Sequence, residues 1–94
     1  MKVKIKFFTR LREITGKKEE EIELNSNVAL DKFLRQLSKE YGQEFQDYIW
    51  DRWEQPRGTL QFLINGKNIM TLHGFETELK DGDIIAIIPP IGGG

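Results

Sequence analysis

Few residues in this 94-residue chain are equipped for chemistry. It has no cysteine, which excludes a thiolate nucleophile, a thiolate metal site and a disulfide framework. His73 is the only histidine, in a stretch that reads as a loop, where a lone imidazole is more often a surface residue than a base. No histidines and carboxylates are spaced as metal ligands, and the carboxylates fall in expected loops and wet faces. Gly92-Gly93-Gly94 is not a phosphate loop, which needs a lysine and a following helix. What remains is Pro89-Pro90-Ile91-Gly92-Gly93-Gly94 and its terminal carboxylate. Converted to an acyl-adenylate by an ATP-using partner, a carboxylate becomes reactive toward sulfur or amine nucleophiles, and glycine hinders the acyl carbon least. Stretched out, such a tail reaches roughly 20 Å at about 3.3 Å per residue, on a stalk thin enough for a narrow pocket. Taken alone, the same stretch also fits a frayed terminus or a cloning scar.

The elements that would carry this tail are legible from hydrophobic spacing. Ile84-Ile85-Ala86-Ile87-Ile88 is apolar and branched enough for a buried strand, and Pro89-Pro90 stop it by removing backbone donors. At the other end, Val3, Ile5 and Phe7 alternate with Lys2, Lys4 and Lys6 as a half-buried strand. Arg10 to Gly16 reads as one helical turn closed by glycine, and Glu19 to Leu24 as an antiparallel partner with Ile22 and Leu24 inward. Leu30, Phe33, Leu34, Leu37 and Tyr41 form one stripe of a helix that ends at Gly42, with Asn27 expected as its N-cap. In 43–58, Phe45, Tyr48 and Ile49 suit a second short helix, and Trp50 and Trp53 a lid over the core. Leu60 to Ile64, Asn65-Gly66 and Lys67-Asn68-Ile69 read as a hairpin. A loop over 70–80 and the turn Asp81-Gly82-Asp83 then lead into the last strand.

This order predicts an α+β domain of the β-grasp kind. A mixed sheet of about five strands carries one main helix on one face, with the first and last strands adjacent and parallel. The expected division is a folded domain over 1–88 and a flexible tail over 89–94. A formal charge of −1 offers no field for nucleic acid or an anionic membrane, and no apolar run approaches a membrane span. The lysine-interrupted N-terminus is not a signal peptide, so a cytoplasmic location is expected, with no cofactor and no metal.

A second candidate feature is apolar. If Ile85 and Ile87 face the core, Ile84, Ala86 and Ile88 face outward. Phe8 shares the outward parity of Lys4 and Lys6, so Phe8 and Ile88 lie on neighbouring strands where the tail departs, with Leu63 a further candidate beside them. Several exposed apolar residues beside a terminal arm read as a docking surface, unless the 43–58 segment or a dimer mate covers them.

Phe7-Phe8-Thr9-Arg10-Leu11-Arg12-Glu13, Asn65-Gly66, and Asp81-Gly82-Asp83 leading through an apolar strand into Pro89-Pro90-x-x-Gly93-Gly94 resemble the small subunit of molybdopterin synthase and its relatives among the ubiquitin-like sulfur carriers. The match spans nearly the whole chain. The resemblance implies a non-catalytic sulfur carrier whose terminal glycine, here Gly94, is adenylated by an E1-like enzyme and converted to a thiocarboxylate. The sulfur would pass to precursor Z in the large synthase subunit, with Gly93 and Gly94 as the inserted dipeptide and Phe8 and Ile88 where family members contact partners; Gly92 is expected to enter with the tail, and Leu63 to extend the contact surface. The 43–58 stretch and the loop after Ile69 look longer than in compact members. Archaeal-type relatives with the same tail are used as protein modifiers joined to lysines, which makes that an alternative use of Gly94. Sulfur delivery to another pathway, such as thiamine or tRNA thiolation, is a further alternative.

Overall fold

In the structure, a computed structural model that describes residues 1–90, five strands form one mixed sheet. The strands are β1 (Lys2–Lys6), β2 (Glu19–Glu23), β3 (Gln61–Ile64), β4 (Lys67–Asn68) and β5 (Ile84–Ile88), in the order β2-β1-β5-β3-β4. β1 and β5 run parallel, with Lys4, Ile5 and Lys6 opposite Ile84, Ile85 and Ala86; every other neighbour is antiparallel. This is the expected β-grasp arrangement, and it places the tail-bearing strand in the middle of the sheet.

The period-two pattern decides which side chains go in. Val3, Ile5, Phe62, Ile64, Ile85 and Ile87 point to one face and are buried. Against them lies α2 (Leu30–Tyr41), whose Leu30, Phe33, Leu34 and Leu37 are almost fully buried. Each such side chain contributes roughly 1.5–3 kcal/mol by leaving water. Phe7 continues the inward row past β1 and meets Tyr41 and Phe45 edge-on, at centroid distances of 5.7 and 6.3 Å.

The short elements close the ends. α1 (Arg10–Thr15) ends at Gly16, whose φ of 73° is the left-handed conformation glycine tolerates and whose N–H donates to the Arg12 carbonyl. The expected second helix is α3 (Gln43–Ile49), with Phe45 and Ile49 buried and Tyr48 half-buried. Among the described residues no helix is long and apolar enough to cross a membrane.

Several details differ from the reading of the sequence. Asn27 is not the N-cap of α2; the helix starts after Ala29. The segment around Ala29 pairs with that around Glu78, so the Leu30 N–H donates to the Thr77 carbonyl and needs no capping side chain. Asn27 instead donates to Glu78. The lid holds for Trp50, whose indole Nε1 donates to Ser38 Oγ at 2.8 Å with the Arg35 guanidinium 4.4 Å above its ring. It fails for Trp53, which is 70% exposed at the tip of the loop. β4 stops before Ile69, because the Asn68 side chain accepts from the Met70 N–H and bends the chain into a 3-10 turn (Ile69–Thr71). A second such turn (Gly74–Glu76) follows in what reads as a plain loop.

Candidate functional site

β5 is the element that positions the chain end. Ile85 and Ile87 are 0% and 1% exposed, and the strand is paired along both edges. A strand held this way cannot twist or slide without breaking two ladders, so Pro89 and Pro90 leave the sheet in a fixed direction. Both prolines are half-buried. Gly92, Gly93 and Gly94, on which the acyl chemistry is expected, lie outside the described residues.

The outward face of the sheet around that exit is partly apolar. Ile84, Ala86 and Ile88 line it along β5; Leu63 stands opposite Ala86, and Ile88 opposite Gln61. The diagonal Leu63–Ile88 relation is within reach of branched side chains. Phe8 and Ile88 each stand two residues beyond the Lys6–Ala86 pair, but β1 itself ends at Lys6. The expectation that Phe8, Leu63 and Ile88 are exposed needs correction, because all three are half-buried. Leu63 sits between Ala86 of β5 and Asn68 of β4, Ile88 lies against β3 on one side, and Phe8 lies with the Arg12 guanidinium 5.5 Å from its ring centroid. The more exposed member of the face is Ile84, at 38%.

Arg12 was not singled out by reading the sequence, although it lies within the stretch quoted above. Its Nε donates to the Phe7 carbonyl at 2.9 Å, which fixes the guanidinium at the edge of the patch. It gets there through a tight turn in which the Leu11 N–H donates to the Phe8 carbonyl and Thr9 takes φ 45° and ψ −114°. That conformation is strained for a β-branched residue and costs on the order of 1–3 kcal/mol. Beside the patch, the face turns charged: Lys4 pairs with Glu19 at 3.2 Å and Lys2 with Glu21 at 3.9 Å.

Among the described residues no three His, Cys, Asp or Glu side chains are grouped to hold a metal ion. His73 is exposed, and its hydrogen bonds among the described residues are made by its backbone, the N–H donating to Thr77 Oγ1 at 3.0 Å and the carbonyl accepting from the Glu76 N–H at 3.2 Å. One titratable cluster stands apart from the patch, where Glu20 accepts from Tyr41 and from Lys17. Burial, then the Glu20 hydrogen bond and charge, push the Tyr41 hydroxyl up to about 12. The cluster joins β2 to the last turn of α2 and reads as a clamp between layers.

The family model described as the ThiS family matches residues 5–94. Small archaeal modifier protein 3 of Haloferax volcanii is 31% identical over 94 residues, covering 100% of both chains. The molybdopterin synthase sulfur carrier subunit of Chlamydomonas reinhardtii is 28% identical over 94 residues, again covering 100% of both. The solution structure of small archaeal modifier protein 1 from Methanosarcina acetivorans superposes with a TM-score of 0.82 at 35% identity, covering 99% of this chain and 96% of that one.

Proposed function

The chain belongs to the ThiS family of ubiquitin-like sulfur carriers and modifiers, and from that premise we propose that it carries sulfur on Gly94 as the small subunit of a molybdopterin synthase. The observation that carries this reading is the placement of β5, locked in the centre of the sheet and running straight into Pro89-Pro90 ahead of the glycines. A domain over 1–88 then serves as the handle, and 89–94 as the arm. The catalytic groups belong to the partners, an E1-like adenylating enzyme and the large synthase subunit.

The chemistry starts at the terminal carboxylate. One of its oxygens attacks the α-phosphate of ATP, an acyl-adenylate forms and pyrophosphate leaves. Sulfide supplied to the enzyme then attacks the acyl carbon, the C–O bond to AMP breaks, and the product is a thiocarboxylate with a proton released to solvent. This chain contributes an unhindered carbonyl carbon and, through its folded domain, the orientation that makes the encounter productive. The patch of Phe8, Leu63 and Ile88 gives the partners an apolar footing next to the arm.

To test it, the full chain is incubated with an E1-like adenylating enzyme, ATP and a sulfide source, and then weighed. The expected result is a sulfur-for-oxygen gain localised to Gly94; an unchanged C-terminal peptide sinks the proposal. A second reading, conjugation of Gly94 to lysines of other proteins, is favoured by the full-length similarity to small archaeal modifier protein 3. It shares the adenylation step and differs in the acceptor, so it predicts lysines bearing a glycine remnant in digests of cell protein.

A further inference from the structure

On the outer face of the sheet, β1 and β2 carry opposite charges whose pairing is out of step with the strands. Lys2, Lys4 and Lys6 stand directly opposite Glu23, Glu21 and Glu19. The ion pairs run diagonally instead: Lys2 reaches Glu21 at 3.9 Å and Lys4 reaches Glu19 at 3.2 Å. Each lysine leans one rung toward the end of the sheet from which the arm departs. That offset uses up Glu19 and Glu21 and leaves one charge over at each end, Glu23 at the far end and Lys6 at the near one. Nothing further along β2 could answer Lys6, because the residue of matching parity before Glu19 is Lys17.

Lys6 therefore takes part in no ion pair among the described residues, and it stands beside the apolar patch. It is half-buried, opposite Ala86 across the parallel ladder and two residues before Phe8. Arg12 is the second cation of this kind. Its Nε is tied to the Phe7 carbonyl and its guanidinium lies by the Phe8 ring, yet it too has no ion pair among the described residues. Two unanswered cations thus border Phe8, Ala86 and Ile88, while the acidic groups of the face are consumed or remote. Within a fold, exposed ion pairs add little. Across an interface, the same charges steer encounter and fix register.

We propose that Lys6 and Arg12 each receive a carboxylate from the adenylating enzyme, whose contact surface is then an apolar centre flanked by acidic side chains. This rests on the function proposed above and supplies the chemistry of its partner. The adenylating enzyme is the occupant because sulfur carriage and conjugation to lysine both begin with adenylation. A second copy of this chain is the poorer fit. The one unpaired carboxylate it offers from the β1–β2 ladder is Glu23, at the end remote from Phe8, which cannot answer two cations.

The test titrates the full chain with an E1-like adenylating enzyme by calorimetry at low and at high salt. Wild-type affinity should fall about tenfold as salt is raised. Lys6→Gln should weaken low-salt binding by about fivefold and flatten the salt dependence, and Lys6→Glu should weaken it at least about twentyfold. Arg12→Gln should act like Lys6→Gln, with a melting curve to show that the turn at Thr9 survives. Lys32→Gln, on the exposed side of α2, should change nothing. The proposal is overturned if Lys6→Glu binds as tightly as wild type, or if wild type does not bind. It is equally overturned if removing Gly94 shifts the side-chain resonances of Lys6 and Arg12 in the free chain, since the arm's own carboxylate would then hold them, or if sedimentation shows a dimer that Lys6→Glu dissociates. A sulfur-for-oxygen gain at Gly94 with an unaltered Lys6→Glu affinity sinks this inference alone. Charge-dependent binding without that gain sinks the sulfur reading and leaves the surface standing.

Discussion

Glu20 is held between Lys17, 3.0 Å away, and the Tyr41 hydroxyl, and its titration should be visible in stability. Burial pushes this carboxyl up, but the hydrogen bonds from Tyr41 and Lys17 and the charge of Lys17 outweigh it, leaving it below the ordinary 4.5. A depressed carboxyl stabilises the fold above its unfolded value, and that contribution is lost as pH falls through the folded one. Tyr41 is the opposite case: its contribution is complete below pH 10.0 and lost as pH rises toward about 12. Melting temperatures across pH should therefore fall at both ends, and Glu20→Gln should flatten both limbs; an unchanged profile would show that the clamp is not formed in solution. At Phe8, half-burial sets the expectation that Phe8→Ala costs roughly 1 kcal/mol of stability while weakening partner affinity at least about tenfold. Urea denaturation and binding titrations separate the two. Nothing in the sequence announced the clamp, because Lys17, Glu20 and Tyr41 meet only once β2 and α2 are packed.

Among the elements, those with a long periodic signal were readable and those settled by a distant partner were not. Alternation located β1 and β5, and the stripe from Leu30 to Tyr41 located α2, because each buries one face against a single layer. Asn27 misled because its capping chemistry is local, whereas the first amides of α2 are satisfied by Thr77, far along the chain. Trp53 misled because an apolar side chain near the core looks like cover, yet the loop from Trp50 to Pro56 closes on itself and leaves the indole outside. Similarly, parity put Phe8 on the outward face but could not foresee Arg12 lying over it. The turn that brings Arg12 there stores strain at Thr9, where φ is 45°. Thr9→Gly should release it and, after glycine's entropic cost, stabilise the fold by about 1 kcal/mol, raising the melting temperature by roughly 4–8 °C. A lower melting temperature would mean that the Thr9 side chain makes a compensating interaction in solution.

At the scale of the molecule, the folded core and the proposed chemistry fall on different parts of the chain. The buried core ends at Ile87, and Pro89 and Pro90, both half-buried, take part in no hydrogen bond among the described residues. Removing Gly94 should therefore leave the thermal midpoint unchanged within error while abolishing thiocarboxylate formation, a pairing that calorimetry and mass measurement check on the same sample. A shifted midpoint would show the tail to be part of the folded unit.

The central position of β5 also governs how the molecule comes into being. β2 with β1, and β3 with β4, are two hairpin-like halves with no ladder between them until the last strand slots into the gap. Its pairing with β1 joins residues some eighty positions apart, so closure is slow to nucleate and all-or-none once it occurs. A chain cut short anywhere before Ile84 would own two loose flaps and no scaffold, so only a chain that has already been made through β5 can fold.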